Sequence, residues 1–318
     1  MQEEIIDTCL QSLINWTPVH FGEKNDYEVT EFFRAQDKRN GQMVFVKRID
    51  LSRDYLNEYQ AEVKALNSLN SDNIVYCIEN GIESFPIEHK MHSFGYIILP
   101  YSGDIDMCDA LANYQWKKNE DDLIKFAYNL INAINHIHSR GFIHRDMKLE
   151  NIVINEISID QQRNKFTFNP DSFNIIDFGS SYSCYDHNCK DDKNLIVFKR
   201  TQTYSPPEFI NNGILTEKYD IFSCGIILYS VVAGHFPKFD FINDMNGVHI
   251  KFLPYDINDF FDKNEWDGIS EEMQDLIKSM LAFDPLYRPS TDDLLKSNAF
   301  QTQISLFGLI DDEEGYLY

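Results

Sequence analysis

The chain has 318 residues, 43% of them hydrophobic and 14% aromatic, which is enough apolar material for a large core and too much for a disordered polymer. Against 28 basic residues stand 51 acidic ones, leaving a formal charge of −23, a field that disfavours nucleic acid and anionic membrane surfaces and favours basic partners. No apolar run approaches the roughly 20 residues of a membrane span, and Met1-Gln2-Glu3-Glu4 does not open a signal peptide, so a soluble, cytoplasmic protein with reduced thiols is expected.

In chain order, Ile5, Ile6, Cys9, Leu10, Leu13 and Ile14 recur at helical spacing, which predicts an amphipathic helix over Met1 to Trp16 and an N-terminal extension over residues 1–18. Alternating β-branched and aromatic stretches from Val19 to about Tyr101 predict a sheet, broken by one helix around Tyr55 to Leu69. After Gly103, helical periods at Asp121 to His138, Tyr219 to Val232 and Glu271 to Leu281 predict a mainly helical second lobe, with short strands near Ile152 to Ile154 and Phe173 to Ile176. Pro100-Tyr101-Ser102-Gly103 is the expected connection. Residues 301–318 form an acidic tail whose run Asp311-Asp312-Glu313-Glu314 reads as solvated. Cys184 and Cys189, with His187 between them, match no common four-ligand zinc spacing, so packed or exposed thiols are expected there.

Seven strings stand out. The most specific is His144-Arg145-Asp146-Met147-Lys148-Leu149-Glu150-Asn151, followed by Ile175-Ile176-Asp177-Phe178-Gly179, Tyr204-Ser205-Pro206-Pro207-Glu208, Asp220-Ile221-Phe222-Ser223-Cys224-Gly225 and Asp284-Pro285-Leu286-Tyr287-Arg288-Pro289. Upstream lie Val44-Phe45-Val46-Lys47 and the helix-like stretch from Glu62 to Asn73-Ile74-Val75. In this order and with these gaps, over roughly Val19 to Phe300, they resemble the eukaryotic-type protein kinase domain. Lys148, two residues after Asp146, resembles the serine/threonine branch.

The resemblance implies an α+β, bilobal fold over residues 19–300. An antiparallel-sheet N-lobe with one helix (19–101) would face a larger, mainly helical C-lobe (102–300), with ATP and Mg²⁺ in the cleft. Phosphoryl transfer is mostly positioning and charge neutralisation. Accordingly Asp146 would accept or orient the substrate hydroxyl, Lys148 would lie against the transferring phosphate, and Asn151 and Asp177 would hold Mg²⁺. Lys47 would pair with the α- and β-phosphates and be held by Glu62, or by Glu58 one turn away. Leu99 would guard the back of the base, the Pro100 carbonyl and the Ser102 N–H would meet its edge, and Val29 and Val153 would cover its faces. Asp106 reads either as a ribose contact or as a helix cap. Glu208 would pair with Arg288, and Asp220 would hold the backbone of the catalytic loop.

Two departures matter. Counting back from Val29, the glycine-rich loop keeps Gly22, while Lys24 and Tyr27 stand where glycines are wanted and Asp26 and Glu28 add negative charge. Phe45 replaces a small residue over the base, and extra volume in a packed site typically costs about 1–3 kcal/mol. These motivate an alternative, a pseudokinase acting as a scaffold, against which stand the six retained groups Lys47, Glu62, Asp146, Lys148, Asn151 and Asp177. A small-molecule phosphotransferase is disfavoured by Pro206-Pro207-Glu208 and Asp220, which resemble a peptide platform. Asn194 to Arg200 holds no hydroxyl residue, so Leu195 to Phe198 are expected to dock by apolar packing, activity is expected without the usual phosphorylation there, and Thr201 is expected to bond Asp146 and Lys148. Asn155 to Ser172 is expected to extend a solvent-exposed turn. Glu150, Asp106 and the acidic surface suggest protein substrates with basic residues near the phosphoacceptor, although Ser230 stands where a further acid would help.

Overall fold

A computed structural model describes residues 16–21, 30–51, 55–87, 90–184, 202–243, 250–262 and 264–300. The N-terminal lobe is built from β1 (Trp16–Phe21), β2 (Thr30–Asp37), β3 (Met43–Asp50), α1 (Leu56–Ser68), β4 (Glu79–Ile87) and β5 (Lys90–Pro100). Its five strands lie in the order β1-β2-β3-β5-β4, every pair antiparallel. The turn between β2 and β3 closes at Gly41, whose φ of +75° suits a residue without Cβ and whose N–H donates to the Asp37 carbonyl at 2.7 Å. That turn sets the register, with Phe32 opposite Lys47 and Arg34 opposite Phe45. Because β1 starts at Trp16, residues 16–18 belong to the sheet and not to the expected helical extension; the rest of that helix lies outside the described residues.

The C-terminal lobe opens with β6 (Ile105–Asp106), α2 (Met107–Asn113), β7 (Gln115–Trp116) and α3 (Glu120–Ser139). Asn119 caps α3, accepting from the Asp121 N–H at 3.1 Å, and three acids in its first turn with histidines in its last complement the helix dipole. Then follow β8 (Phe142–Ile143), β9 (Ile152–Ile154), β10 (Ile157–Asp160), β11 (Lys165–Phe168), β12 (Phe173–Ile175), β13 (Tyr182–Ser183), α4 (Pro207–Asn212) and α5 (Lys218–Ala233). β14 (Phe241–Asn243), β15 (Ile250–Phe252), α6 (Glu271–Met280) and α7 (Thr291–Leu295) complete it. Helix α5 is apolar on every face and buried almost end to end, as expected of a helix at the centre of a lobe. At Gly225 an added Cβ would come within 2.9 Å of Leu281, so the missing side chain sets how closely the end of α6 approaches.

The stretch from Asn155 to Ser172 corrects the sequence expectation. It holds the hairpin β10–β11, and β11 pairs in parallel with β7. Phe166 and Phe168 sit on one strand face, both buried, with the Phe168 ring 6.4 Å from Trp116 and 5.3 Å from Phe126. Two phenylalanines two positions apart are the alternation of a half-buried strand, so the segment joins the core. Among the described residues no helix is long and apolar enough to cross a membrane.

Candidate active site

A cavity of about 390 Å³ opens between the lobes, within the usual range for small-molecule sites. Larger hollows of about 490 and 620 Å³ exist, the second adjoining this cavity along Pro100 to Gly103, but neither Lys47 nor any residue of the His144–Asn151 loop lines them.

On the upper side, β3 and α1 place a buried lysine beside a buried carboxylate. Lys47 Nζ donates to Glu62 Oε1 and Oε2 at 2.9 and 2.8 Å and to Asp177 Oδ1 at 2.7 Å. Glu62 lies on the buried face of α1, where a carboxylate without a partner would be costly. Glu62 rather than Glu58 therefore holds the lysine. Burial works to lower the Lys47 pKa, yet the charges of Glu62 and Asp177 outweigh it and hold the ammonium above the usual lysine range. Burial likewise pushes against ionisation of Asp177, and Lys47 overcomes it, keeping the carboxyl below its ordinary value.

On the lower side the His144–Asn151 loop is held from beneath. The Asp220 carboxylate of α5 accepts from the backbone N–H groups of His144 and Arg145 at 2.8 and 2.9 Å and lies 2.9 Å from His138 Nε2. These bonds hold Arg145 at a φ of 68°, a left-handed conformation that non-glycine residues adopt at a cost. Asp177 has the same geometry, φ 63°, as the chain turns from β12 into Phe178, whose ring packs on His144 with centroids 4.7 Å apart. Lys148 Nζ donates to Asp146 Oδ2 at 2.8 Å, and Asn151 Nδ2 donates to the Asp146 carbonyl at 2.7 Å. The amide oxygen of Asn151 is thereby turned away from these bonds. The oxygens of Asn151 and Asp177 are the hard, neutral-plus-anionic donor set that Mg²⁺ takes alongside phosphate oxygens, so the residues present fit that ion.

Leu99, Pro100, Ser102 and Val153 line the cavity. The Ser102 hydroxyl lies 3.5 Å from the Pro100 carbonyl, too far to occupy it, while Asn174 donates to that hydroxyl at 3.1 Å. Gly103, at φ +134°, brings its backbone so near β9 that a Cβ would sit 2.7 Å from the Ile154 carbonyl oxygen. Of the two readings of Asp106, the structure has the cap: its carboxylate accepts from the Asp109 N–H at 2.8 Å at the start of α2, and the residue does not line the cavity.

Three residues were not anticipated in these places. Phe32 of β2 lines the cavity and stacks on Phe45, centroids 5.6 Å apart and planes 23° apart. Tyr204 is buried, and its hydroxyl accepts from the Leu149 N–H and donates to Glu150, both at 3.2 Å. His144 carries the Phe178 ring. Gly22, Val29, Cys189, His187, Thr201, the stretch Asn194 to Arg200 and the acidic tail lie outside the described residues.

The protein kinase domain model matches residues 28–300. A probable serine/threonine-protein kinase fhkE of Dictyostelium discoideum is 26% identical over 88% of this chain and 37% of its own length. Serine/threonine-protein kinase 33 of Mus musculus is 24% identical over 83% of this chain and 50% of its own, and the Dictyostelium discoideum probable kinase fhkB 29% identical over 81% and 21%. The chain thus spans half or less of these relatives.

Proposed function

The chain belongs to the protein kinase family, and from that premise we propose that it is an active serine/threonine kinase, passing the γ-phosphate of ATP to serine or threonine hydroxyls of proteins with the help of Mg²⁺. One observation carries the reading: Lys47 is joined to both Glu62 and Asp177 in the wall of a cavity that is also lined by Lys148 and Asn151, both bonded to Asp146. A fold kept only as a scaffold has no need of that whole set in register.

In this reading Lys47 anchors the α- and β-phosphates while Glu62 fixes its position, and Asp146 orients the acceptor hydroxyl and takes up its proton as the new O–P bond forms and the bond from the γ-phosphorus to the bridging oxygen breaks, releasing ADP. Lys148 steadies the charge on the transferring group. Asn151 and Asp177 would hold Mg²⁺, which would supply charge neutralisation at the phosphates. The base would lie between the Phe32–Phe45 roof and Val153, with the Pro100 carbonyl and the Ser102 N–H at its edge. With Phe32 taken as the roof residue, the glycine-loop spacing counted back from it would fall on Asn25, Tyr27 and Thr30, none of them glycine. Glu150, lining the same cavity, favours substrates with basic residues beside the acceptor.

A second reading, a kinase fold serving as a binding scaffold, is motivated by that loop and by the two rings over the cleft. The Phe45 ring stands in the cavity wall and leaves about 390 Å³ open, which supports the active reading. Transfer of labelled phosphate to mixed protein substrates, comparing the native chain with Asp146→Asn and Asp177→Ala, separates the two. Activity confined to the native chain is expected; equal incorporation by all three would be contamination and would favour the scaffold.

A further inference from the structure

Outside the cleft, the hollow of about 490 Å³ is walled by the end of α2, β7, the β10–β11 turn and the end of α5, with Asn264 and Glu265 at one side. Its volume is that of a ligand site. A Cβ added at Gly234 would meet nothing within 4 Å, so the space beside the end of α5 is open. The β10–β11 turn is tied into the wall: the Gln115 N–H donates to the Asn164 carbonyl at 2.9 Å, and Asn164 turns the chain at a left-handed φ of 53°.

Two helices end in this hollow. A helix leaves its last carbonyls without intrahelical partners, and a long one such as α5 concentrates partial negative charge at that end. The carbonyls of Leu111 and Ala112 in α2, and of Val231, Val232 and Ala233 in α5, receive no hydrogen bond from a described residue. Neither helix has a basic side chain in its last turn, whereas α3 has His136 and His138 there and α6 has Lys278. Tyr114 and Trp116 line the same space, and an aromatic face attracts a cation. Leu111 and Val232 add aliphatic surface of the kind that the methylene stem of a charged side chain covers. The two formal charges of the lining cancel. Lys118 donates to the Glu265 carbonyl, and the Glu265 carboxylate lies 3.1 Å from His235 Nε2, so the helix ends set the sign of the site. Asn113 spends its Nδ2 on the Asp109 carbonyl at 2.8 Å, which leaves its amide oxygen as a further acceptor.

We propose that this hollow seats the cationic end of a lysine or arginine side chain, carried by a polypeptide that runs on from there to the cleft. A path between the two exists. Phe236, just beyond Gly234 and 37% exposed, packs edge-on against Tyr204 with centroids 5.4 Å apart, and the Tyr204 hydroxyl bonds Glu150 in the cleft wall. A chain crossing Phe236 therefore joins the hollow to the acceptor side of the cleft, and the net charge of −23 favours its approach. That this polypeptide is a substrate rests on the kinase reading; the cation seat itself does not.

Saturation-transfer NMR on the full chain tests it, with butylguanidinium, n-butanol and butyrate as probes and with N-acetyl-Gly-Arg-Gly amide to present the same cation on a backbone. Butylguanidinium is expected to bind about tenfold more tightly than butanol or butyrate, and the tripeptide more tightly still. Asn113→Lys, which fixes a cation at the end of α2, is expected to weaken both cationic probes by about tenfold or more. Asn40→Lys makes the same charge change on the β2–β3 turn of the other lobe and is expected to leave them unchanged; both asparagines are exposed, so both variants should fold. Equal binding of the three small probes, or equal effects of the two lysine variants, would overturn the seat. Butylguanidinium binding as tightly as the tripeptide would overturn the assignment to a polypeptide and favour a free amine. In phosphate transfer to a basic protein, Asn113→Lys is expected to raise KM severalfold with kcat unchanged, and an unchanged KM would overturn the role in substrate binding. A native chain that holds the tripeptide but transfers no phosphate would sink the kinase reading and leave the cation seat standing.

Discussion

Glu208 and Arg288, 80 positions apart, meet in a two-pronged ion pair at 2.7 and 2.8 Å, with the arginine 1% exposed. The guanidinium also donates to the carbonyls of Ala282, Phe283 and Lys218, so one side chain ties α4, the start of α5 and the segment after α6 together. A buried pair of this kind does not by itself confer stability, but removing one partner leaves a charge stranded, at about 3–5 kcal/mol. Glu208→Ala is therefore expected to lower the urea midpoint by that equivalent. Arg288→Lys should also destabilise, since an ammonium with three donors cannot serve all of these acceptors. A lysine variant with an unchanged midpoint would show that the fork geometry is unimportant.

The β10–β11 hairpin contributes to the core. Phe166 is 1% exposed, its ring 6.3 Å from that of Phe168. Phe166→Ala is expected to cost about 3–5 kcal/mol, as large-to-small changes at buried phenylalanines do. Thr167→Ala, on the opposite strand face, should stay within about 0.5 kcal/mol. Equal, small effects of the two substitutions in thermal denaturation would return the hairpin to the status of a surface turn.

How much of this was legible depended on whether the signal was local. The α3, α5 and α6 periods and the strand Ile152–Ile154 are short-range patterns, and they lie where the sequence puts them. The His144–Asn151 and Asp177 strings were legible as local motifs, although the loop backbone is tied to Asp220 and the Asp177 carboxylate to Lys47 across long sequence separations. Phe32 was not anticipated because its place opposite Lys47 depends on register between strands, whereas Val29 lies outside the described residues. The role of Tyr204 was hidden for a similar reason, since its bonds to Leu149 and Glu150 span more than 50 positions. The hairpin escaped because its polar turn residues outweighed two phenylalanines whose partners, Trp116 and Phe126, lie far upstream.

Asp106 offers a way to separate charge from capping. Burial raises the pKa of its carboxyl, and the nearby charges of Asp109 and Glu150 push the same way against the N–H bonds it accepts. Asparagine caps helices about as well as aspartate. Asp106→Asn is accordingly expected to change stability by less than about 0.5 kcal/mol while weakening any preference for basic residues around the phosphoacceptor. A peptide-array comparison of the two proteins reads this directly. An unchanged array profile would confine Asp106 to its cap.

The ion pair of Asp177 with Lys47 predicts the direction of a pH effect. The folded-state pKa of Asp177 lies below the ordinary 3.8, so the unfolded chain takes up this proton first as the solution is acidified. Its contribution is present above that ordinary value and is lost as the pH falls through the lower folded-state value. The Lys47 pKa is raised above 10.5, so its share is present at neutral pH and lost only in strong alkali. The gap in melting temperature between the native chain and Asp177→Asn should therefore be constant from neutrality down to about pH 5 and close progressively below about pH 4. The size of the gap will be modest, because the Asp177 side chain is 38% exposed and screened by solvent. A gap that widened in acid would mean that the carboxylate is held there against its own preference, and that the left-handed turn at Asp177, not the lysine, dominates its energetics.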